Sequence, residues 1–160
     1  MTVPLPLPIR FGRAADMPAA IALLQAAQLP TADLTSVANL QTWVLDASGS
    51  IQGVIALERT GSEGLLRSLA VHPDYRNRGV GRELVSRLER DAAVAGVTQL
   101  VLLTQTAEPF FRKLGYQMLD RRHVSDGMNR CAEFQSLCPV SAVCMMKAVA
   151  WREPAGATHG

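Results

Sequence analysis

The sequence lacks a long hydrophobic run, a strong charge of either sign and a recognisable leader. No apolar stretch reaches the length of about 18 to 20 residues that a membrane-spanning helix needs. The first eleven residues contain three prolines, and they lack the basic segment and following apolar segment of a signal peptide. A formal net charge of +2 is too small to indicate a nucleic-acid partner. We therefore predict a cytoplasmic protein that binds neither membranes nor nucleic acid.

Cysteine is also scarce, and the rest of the composition is ordinary for a globular protein. Three cysteines, an odd number, favour a reducing compartment. A chain of 160 residues, with 48% hydrophobic and 19% charged residues, is sufficient for one domain with a buried core. The last residues are small and polar, so we predict a domain over residues 1–152 and a flexible tail over residues 153–160.

An apolar segment, a basic glycine turn and an amphipathic helix follow one another over residues 65–96. The apolar run over residues 65–71 predicts a buried strand, which ends because Pro73 cannot donate a backbone hydrogen bond. The turn that follows is Arg76-Asn77-Arg78-Gly79-Val80-Gly81. Apolar residues then recur every four positions as far as Gly96, which predicts a helix that ends in a glycine cap.

The glycine turn has the features of a phosphate-binding site. Its two glycines allow a ligand to approach the backbone, and the N–H groups at the start of the helix point outward. Three arginine side chains add donors suited to phosphate: Arg76, Arg78 and Arg82. A Walker A loop is excluded because no Gly-Lys-Ser/Thr follows the glycine turn. A dinucleotide-binding motif is excluded because Leu84 occupies the position that needs glycine or alanine. We therefore predict a phosphate-bearing ligand that is held by a different motif.

Two motifs resemble those of the GNAT acetyltransferases. The pattern R-x-x-G-x-G, over residues 76–81, is similar to the pyrophosphate-binding motif of that family. The segment AEPFFRKLGY, residues 107–116, resembles the short helix and turn that the family places after its fifth strand. The typical ending of that segment is matched by Phe111, Lys113, Leu114, Gly115 and Tyr116. Because the order and spacing of both motifs agree, the resemblance covers most of the chain.

The resemblance implies an α/β (α+β) fold, a single GNAT-type domain in which a mixed, twisted sheet has helices on both faces. The order read from the sequence, β-α-α-β-β-β-α-β-α-β-β, suits that fold. A helix is predicted over residues 16–27, and a second helix is possible with its start at Thr31 or Asp33. The other predicted strands cover residues 9–12, 43–46, 51–58, 98–103, 117–120 and 140–149, and a loop with a helical turn covers residues 121–130.

The resemblance also implies acetyl-CoA as the co-substrate, with no metal. Its pyrophosphate would lie on the glycine turn, and its pantetheine arm would run as an added strand beside residues 69–71. A backbone N–H of Leu69 or Ala70 would stabilise the oxyanion that forms when an amine attacks the thioester. The residues predicted to bind acetyl-CoA are Leu69, Ala70, Val71, Arg76, Asn77, Arg78, Gly79, Val80, Gly81, Arg82, Thr104, Phe110, Phe111 and Lys113.

The general acid and base are left open by the sequence. Many family members carry a tyrosine as the acid where this chain has Phe111, which has no hydroxyl. A thiol leaving group with a pKa of about 8.5 needs only modest help, so water or Thr104 can serve. Glu58 is the first candidate for the base, although it is equally well interpreted as an exposed strand-end carboxylate. Ser68, on the central strand, is a third candidate catalytic residue.

The predicted acceptor is a small amine. Arg67 can bind the carboxylate of an anionic acceptor, with Glu58 also touching the substrate, or it can form a salt bridge with Glu58. Residues 29–34, 65–71 and 134–147 resemble acetyltransferases that are encoded in bacterial arsenic-resistance gene clusters. This narrower resemblance implies a detoxifying enzyme for an acidic amino acid or an amino-acid-like toxin such as arsinothricin. Relatives of this kind often form homodimers.

Two non-catalytic functions are alternatives. The missing tyrosine is consistent with a GNAT fold that binds acyl-CoA without transferring the acyl group. Three thiolates, from Cys131, Cys138 and Cys144, could instead bind trivalent arsenic in a sensing module. Their spacings of seven and six residues match no compact metal motif, and free cysteines are usually small buried apolar residues.

Overall fold

The structure, a computed structural model, describes residues 7–37, 40–138 and 141–150. Within these ranges the strands are β1 (Ile9–Phe11), β2 (Leu40–Ala47), β3 (Ser50–Thr60), β4 (Glu63–Val71), β5 (Gln99–Thr104), β6 (Gln117–Met118) and β7 (Val143–Ala148). The helices are α1 (Met17–Ala26), α2 (Val80–Val94), α3 (Glu108–Lys113), α4 (Asp126–Asn129) and a π-helix (Glu133–Leu137). No helix in the described ranges is both long and apolar enough to cross a membrane.

The strands form one mixed sheet in the order β1-β2-β3-β4-β5-β7-β6. The β4–β5 pair is parallel, whereas the other neighbouring pairs are antiparallel. The helix α2, which connects β4 to β5, packs on one face of the sheet, and α1 packs on the other. The predicted fold, a mixed sheet with helices on both faces, is therefore confirmed. The domain limits at residues 1 and 152 and the tail lie outside the described residues and stay predictions.

The strands β4 and β5 are paired over only three residues each. Residues 63–65 lie beside residues 99–101, after which β4 stays with β3 and β5 continues beside β7. The edge of β4 over residues 66–71 that faces β5 has no strand partner among the described residues. Such an edge presents backbone donors and acceptors to an extended ligand. We call it the open edge of β4.

A β-bulge interrupts β4 at Ser68. Against β3, Arg67 pairs with Ala56 and Ala70 pairs with Val54, so that one residue of β3 faces two residues of β4. Ser68 adopts a φ of 61°, in the left-handed region, where a residue other than glycine is disfavoured by roughly 1–2 kcal/mol. Because the extra residue shifts the alternation of side chains, Arg67 and Ala70 share one face although they are three positions apart.

Each face of the sheet has its own apolar core. Under α2, the helix side chains recur at the predicted four-residue spacing and pack on the sheet, and this core includes Val80, Leu84, Leu88, Ala92, Trp43, Leu45 and Leu57. On the opposite face, α1 covers Val54 and Ala70, and residues near α4 cover Leu65 and Val101. Full burial of one such aliphatic side chain stabilises the fold by roughly 1.5–3 kcal/mol. The central strand therefore carries apolar contacts on both of its faces.

The predicted second helix is absent, because residues 32–36 form turns. In this segment Ser36 Oγ donates to the carbonyl oxygen of Asp33 at 3.0 Å, and the Asp33 carboxylate binds Arg67. Hydrogen bonds from short polar side chains within a loop compete with the backbone hydrogen bonds of a helix, and in this segment the side-chain bonds form and the helix does not. The prediction of a helix that starts at Thr31 or Asp33 was wrong.

Several strand limits also differ from the predictions. The strand β6 stops at Met118, because Asp120 accepts a hydrogen bond from the N–H of Arg122 at 2.9 Å and starts a 3₁₀ turn. The strand β7 covers Val143–Ala148 instead of residues 140–149, and residue 140 lies outside the described residues. The predicted loop with a helical turn over residues 121–130 is confirmed, since it contains α4.

Candidate active site

The glycine turn joins β4 to α2 at the end of the open edge. Asn77 and Gly79 have φ values of 62° and 75°, and α2 begins at the next residue, Val80. The first N–H groups of an α-helix have no acceptor within the helix and lie at its positive end. The arginine side chains of this turn are exposed: Arg76, Arg78 and Arg82. The turn therefore offers backbone donors and positive charge in one place.

The helix α3 packs beside this turn. A Cβ atom added to Gly81 would lie 3.4 Å from Cζ of Phe110, so the aromatic ring is in direct reach of the turn. The Phe111 side chain is buried, with its ring centroid 5.0 Å from that of Phe110 and 5.4 Å from that of Tyr116. Phe110 is half-buried and Lys113 is exposed. Of these predicted cofactor residues, Phe111 is a core residue with little surface left for a ligand.

No tyrosine hydroxyl close to Phe111 is free to act as an acid. The hydroxyl of Tyr116 donates to Oε2 of Glu89 at 2.9 Å, and burial, together with the charge of Glu89, raises the pKa of Tyr116 above its usual range. Thr104, at the end of β5, accepts a hydrogen bond from the N–H of Ala107 at 2.9 Å. Its hydroxyl still has a proton to donate, so Thr104 remains a candidate acid.

Arg67 extends from β4 into a group of carboxylates, and its side chain is 0% exposed. Nη1 and Nη2 donate to the two oxygens of Asp33, each at 2.7 Å, and Nη1 also donates to Oε1 of Glu58 at 3.0 Å. Nε lies 3.3 Å from Oε1 of Glu133 and 3.4 Å from Oγ of Ser68. All three guanidinium nitrogens therefore have partners inside the protein. We call Asp33, Glu58, Arg67 and Glu133 the Arg67 cluster.

The pKa values of Asp33 and Glu133 shift in opposite directions. Hydrogen bonds from Arg67 lower the pKa of Asp33. Glu133 shifts the other way: burial raises its pKa to about 7, with further increases from the charges of Asp33 and Glu58 and a decrease from Arg67. A carboxyl group that exchanges its proton near neutral pH is suited to acid–base chemistry. With three acids and one base, the cluster carries a net charge of −2 when all three carboxyl groups are ionised.

The Arg67 cluster lies next to the bulge, on the face of β4 opposite α2. Arg67 shares this face with Leu65 and Ala70, which belong to the separate apolar cores near α4 and α1. Glu58 is the cross-strand partner of Leu65. The structure thus brings together the predicted site residues Glu58, Arg67 and Ser68, and it contains the predicted salt bridge between Arg67 and Glu58.

Two members of the cluster were missed by sequence reasoning. The local sequence around Asp33 predicts the start of a helix, whereas its side chain binds Arg67, which lies 34 positions further along the chain. Glu133 is the one acidic residue in the short run Cys131-Ala132-Glu133-Phe134, and its neighbours are apolar. A lone carboxylate among buried apolar residues is the signal that could have found it, because buried acids are usually paired.

The cysteines are a poor match for a thiolate site. Cys131 and Cys144 are buried in the apolar core near α4, and Cys138 is half-buried. Burial is the main cause that raises their pKa values, to about 12 for Cys131 and about 11 for Cys138 and Cys144. Metalloid binding needs the thiolate, which these environments disfavour. Among the described residues, no group of three or more His, Cys, Asp or Glu side chains could hold a metal ion.

Comparison with known proteins agrees with this geometry. Residues 38–118, about half of the chain, match the model of the acetyltransferase (GNAT) domain. The chain therefore belongs to the GNAT acetyltransferase family.

Similar proteins include an acetyltransferase from Sodalis glossinidius, 33% identical over 81 residues, which are 48% of this chain and 57% of that protein. An amino-acid acetyltransferase from Azotobacter vinelandii is 44% identical over 54 residues, 34% of this chain and 12% of that protein. The chain thus spans little more than half, or less, of these relatives' lengths.

A solved structure with the same fold is the N-acetylglutamate synthase from Neisseria gonorrhoeae, complexed with coenzyme A and N-acetyl-glutamate. It matches with a TM-score of 0.72 and 16% identity, over 88% of this chain and 35% of that chain. At this level of identity the likeness establishes the fold alone.

Proposed function

We propose that this protein is an acetyl-CoA-dependent N-acetyltransferase that acts on the amine of a small molecule. The observation that carries the proposal is the open edge of β4, which contains the bulge at Ser68 and leads to the glycine turn. It combines an extended hydrogen-bonding edge with an anion-binding helix end. Membership of the GNAT family, and similarity to N-acetyltransferases, supports the same reaction.

The chain's own groups fit the parts of acetyl-CoA, which supplies an acetyl group as a thioester. The first N–H groups of α2, with the arginines of the turn, would bind the pyrophosphate. The backbone of residues 69–71 would hydrogen-bond to the pantetheine arm as an added strand. Phe110, half-buried beside Gly81, would pack against the arm.

The transfer needs a donor for the developing negative charge, a proton acceptor and a proton donor. A backbone N–H of Leu69 or Ala70 would donate to the carbonyl oxygen while the amine attacks. Glu58, directly or through water, would accept the amine proton, and Thr104 or water would protonate the departing sulfur. The N–C bond forms and the C–S bond breaks without a covalent enzyme intermediate. The rate would therefore come mainly from the positioning of the amine beside the thioester.

The narrower proposal for the acceptor is an acidic amino acid or an amino-acid-like toxin such as arsinothricin. Similarity to an amino-acid acetyltransferase, and the fold shared with a synthase solved with N-acetyl-glutamate, support an amino-acid acceptor. Arg67 is buried among carboxylates, so an acidic acceptor would need other ligands or would have to displace Asp33. A part in arsenic resistance depends on this acceptor. Cytoplasmic location and a homodimer remain proposals based on the sequence.

The test is the release of CoA thiol from acetyl-CoA in the presence of a panel of amines. The panel contains arsinothricin, phosphinothricin, glutamate, aminoglycosides and polyamines, and we expect turnover with at least one of them. Arg78→Ala should raise KM for acetyl-CoA about tenfold with little change in kcat, because a pyrophosphate contact acts equally in the ground and transition states. Arg90→Ala is the matched control, since Arg90 is an exposed arginine near the other end of α2. Equal KM values in the two variants would contradict the proposed cofactor site.

A non-catalytic acyl-CoA-binding protein is the second candidate function. The observation that favours it is the buried Phe111, which leaves the site without the tyrosine that many family members use as an acid. In that case acetyl-CoA would raise the melting temperature, but no amine in the panel would be acetylated. Turnover of any amine well above the uncatalysed rate would exclude it.

A further inference from the structure

Arg67 connects three segments of the chain beside the bulge of β4. Asp33 belongs to the loop between α1 and β2, Glu58 to β3, and Glu133 to the π-helix. Their side chains are 13%, 14% and 5% exposed, and each carboxylate is within 3.3 Å of a guanidinium nitrogen. A loop, the sheet and a helix are thus held together through one side chain.

The contacts of Arg67 leave no place for a substrate carboxylate. Asp33 takes both terminal nitrogens, Glu58 shares one of them, and Nε faces Glu133 and Ser68. A substrate carboxylate would also bind the guanidinium group through two parallel hydrogen bonds, which Asp33 already makes. Because the side chain is 0% exposed, a ligand could reach it only after Asp33 had moved away.

The charge of the Arg67 cluster depends on the same residue. Three neighbouring carboxylates repel one another, and ionised groups out of water need a counter-charge. Among the described residues, Arg67 supplies the one positive charge within hydrogen-bonding distance of all three. Cys131, whose Sγ donates to the carbonyl oxygen of Gly127 at 3.8 Å, and Cys138 are thiols near the cluster whose pKa values are raised, so they add no positive charge.

We propose that Arg67 is a positioning residue for acetyl transfer, which holds Glu58 beside the β4 bulge and fastens the loop of Asp33 and the π-helix of Glu133 around the acceptor. The inference rests on the proposed function and deepens it. A base must be within hydrogen-bonding reach of the amine proton, so its placement controls the rate. Arg67 therefore acts through Glu58 and does not itself contact the acceptor.

The test compares Arg67→Met with the wild-type protein on two acceptors of the same amine type, one with a carboxylate and one without. We expect kcat/KM for both acceptors to fall by about 100-fold, the loss typical of a misplaced reacting group. KM for acetyl-CoA should change by less than about threefold, because its proposed site is the separate turn at residues 76–82. The pH profile of kcat/KM should shift to higher pH, since the carboxylates lose a neighbouring positive charge.

Asp33→Asn provides a second variant that leaves Arg67 paired with two acids. If Arg67 is a positioning residue, releasing the loop lowers kcat/KM for both acceptors. If Arg67 is a substrate ligand blocked by Asp33, the variant instead raises activity on the acceptor with the carboxylate, which would overturn the proposal. A loss in Arg67→Met that is confined to that acceptor would overturn it too, as would unchanged kinetics and an unchanged pH profile in both variants.

Arg10→Met is the matched control. Arg10 also binds two aspartates, Asp16 at 2.7 Å and Asp46 at 3.1 Å, but it lies on the edge strand β1, away from the open edge. We expect this variant to lose stability while keeping the kinetic constants of the wild-type protein. Absence of turnover in the wild-type protein would reject the proposed function itself, whereas turnover that Arg67→Met leaves intact would reject only the positioning role.

Discussion

At the scale of single residues, Glu133 is a buried carboxyl group with a raised pKa. It is 4% exposed, it contacts Arg67 through Nε, and its pKa is raised to about 7, chiefly by burial. A carboxyl group in this state is half-protonated near neutral pH. Its proton therefore links the stability of the fold to pH over a range in which most carboxylates no longer titrate.

The first prediction concerns Glu133→Gln. The folded protein binds the Glu133 proton more tightly than the unfolded chain, because the pKa is about 7 in the fold against an ordinary 4.5. The free energy of unfolding of the wild-type protein therefore falls through this group as pH rises from about 4.5 to about 7. Gln cannot ionise, so the variant should gain roughly 1–3 kcal/mol relative to wild type between about pH 5 and about pH 8. Urea unfolding at several pH values measures this difference.

Glu108→Gln is the control for this experiment. Glu108 is a more exposed carboxylate that pairs with Arg112 one turn further along α3. Such a pair contributes only a few tenths of a kcal/mol, so its removal should change stability little. A difference between Glu133→Gln and wild type that stays constant with pH, or reverses its sign, would contradict the buried state of Glu133.

The residues of the Arg67 cluster show why the site could be predicted only in part. Glu58 and Arg67 lie on adjacent antiparallel strands, and a hairpin register suggests that they are close. Asp33 lies in a loop and Glu133 in a π-helix, and the positions of both beside Arg67 depend on the whole fold. The local sequence pattern could therefore predict only the salt bridge between Arg67 and Glu58 and not the other two members of the cluster.

At the scale of elements, the turn between β4 and α2 combines a strained backbone with an exposed, basic surface. Asn77 and Gly79 both have positive φ values, and α2 starts immediately after Gly79. The local sequence predicted this element well, because proline, glycine and the four-residue repeat act over short distances. A helix was wrongly predicted to start in residues 31–37, where Ser36 bonds within the loop and Asp33 binds the distant Arg67.

The second prediction concerns Gly79→Ala. No atom lies within 4 Å of the added Cβ, so the cost comes from the φ of 75° alone. We expect the free energy of unfolding to fall by about 1–2 kcal/mol, the usual cost of a left-handed residue with a Cβ. Thermal and urea unfolding without ligand measure the change.

Gly81→Ala separates strain from ligand binding at the same turn. Gly81 is in α2, its φ is not positive, and an added Cβ makes ordinary contact with Phe110 at 3.4 Å. Stability should therefore change little, while KM for acetyl-CoA should rise because a side chain now stands where the ligand approaches the backbone. Equal losses of stability in both variants would contradict the assigned backbone conformations.

At the scale of the whole molecule, the proposed cofactor-binding turn and the Arg67 cluster lie on opposite sides of the sheet, with the open edge of β4 between them. The turn and α2 lie on one side, the Arg67 cluster lies on the other, and the bulge of β4 is between them. The sequences of β4 and β5 do not show that these strands separate after three paired residues, because the separation depends on their pairing with β3 and β7. The family resemblance supplied only the expectation that the pantetheine arm runs as an added strand beside residues 69–71.

The central claim is that acetyl-CoA binds along the open edge of β4 and on the glycine turn. Its most direct test is a titration of the isotopically labelled protein with acetyl-CoA, followed by backbone amide NMR. We predict that the largest shifts occur at residues 69–71 and 76–82, and that Arg78→Ala moves the same signals only at higher ligand concentration. Saturable shifts confined to other parts of the protein, or no shifts at all, would contradict the account.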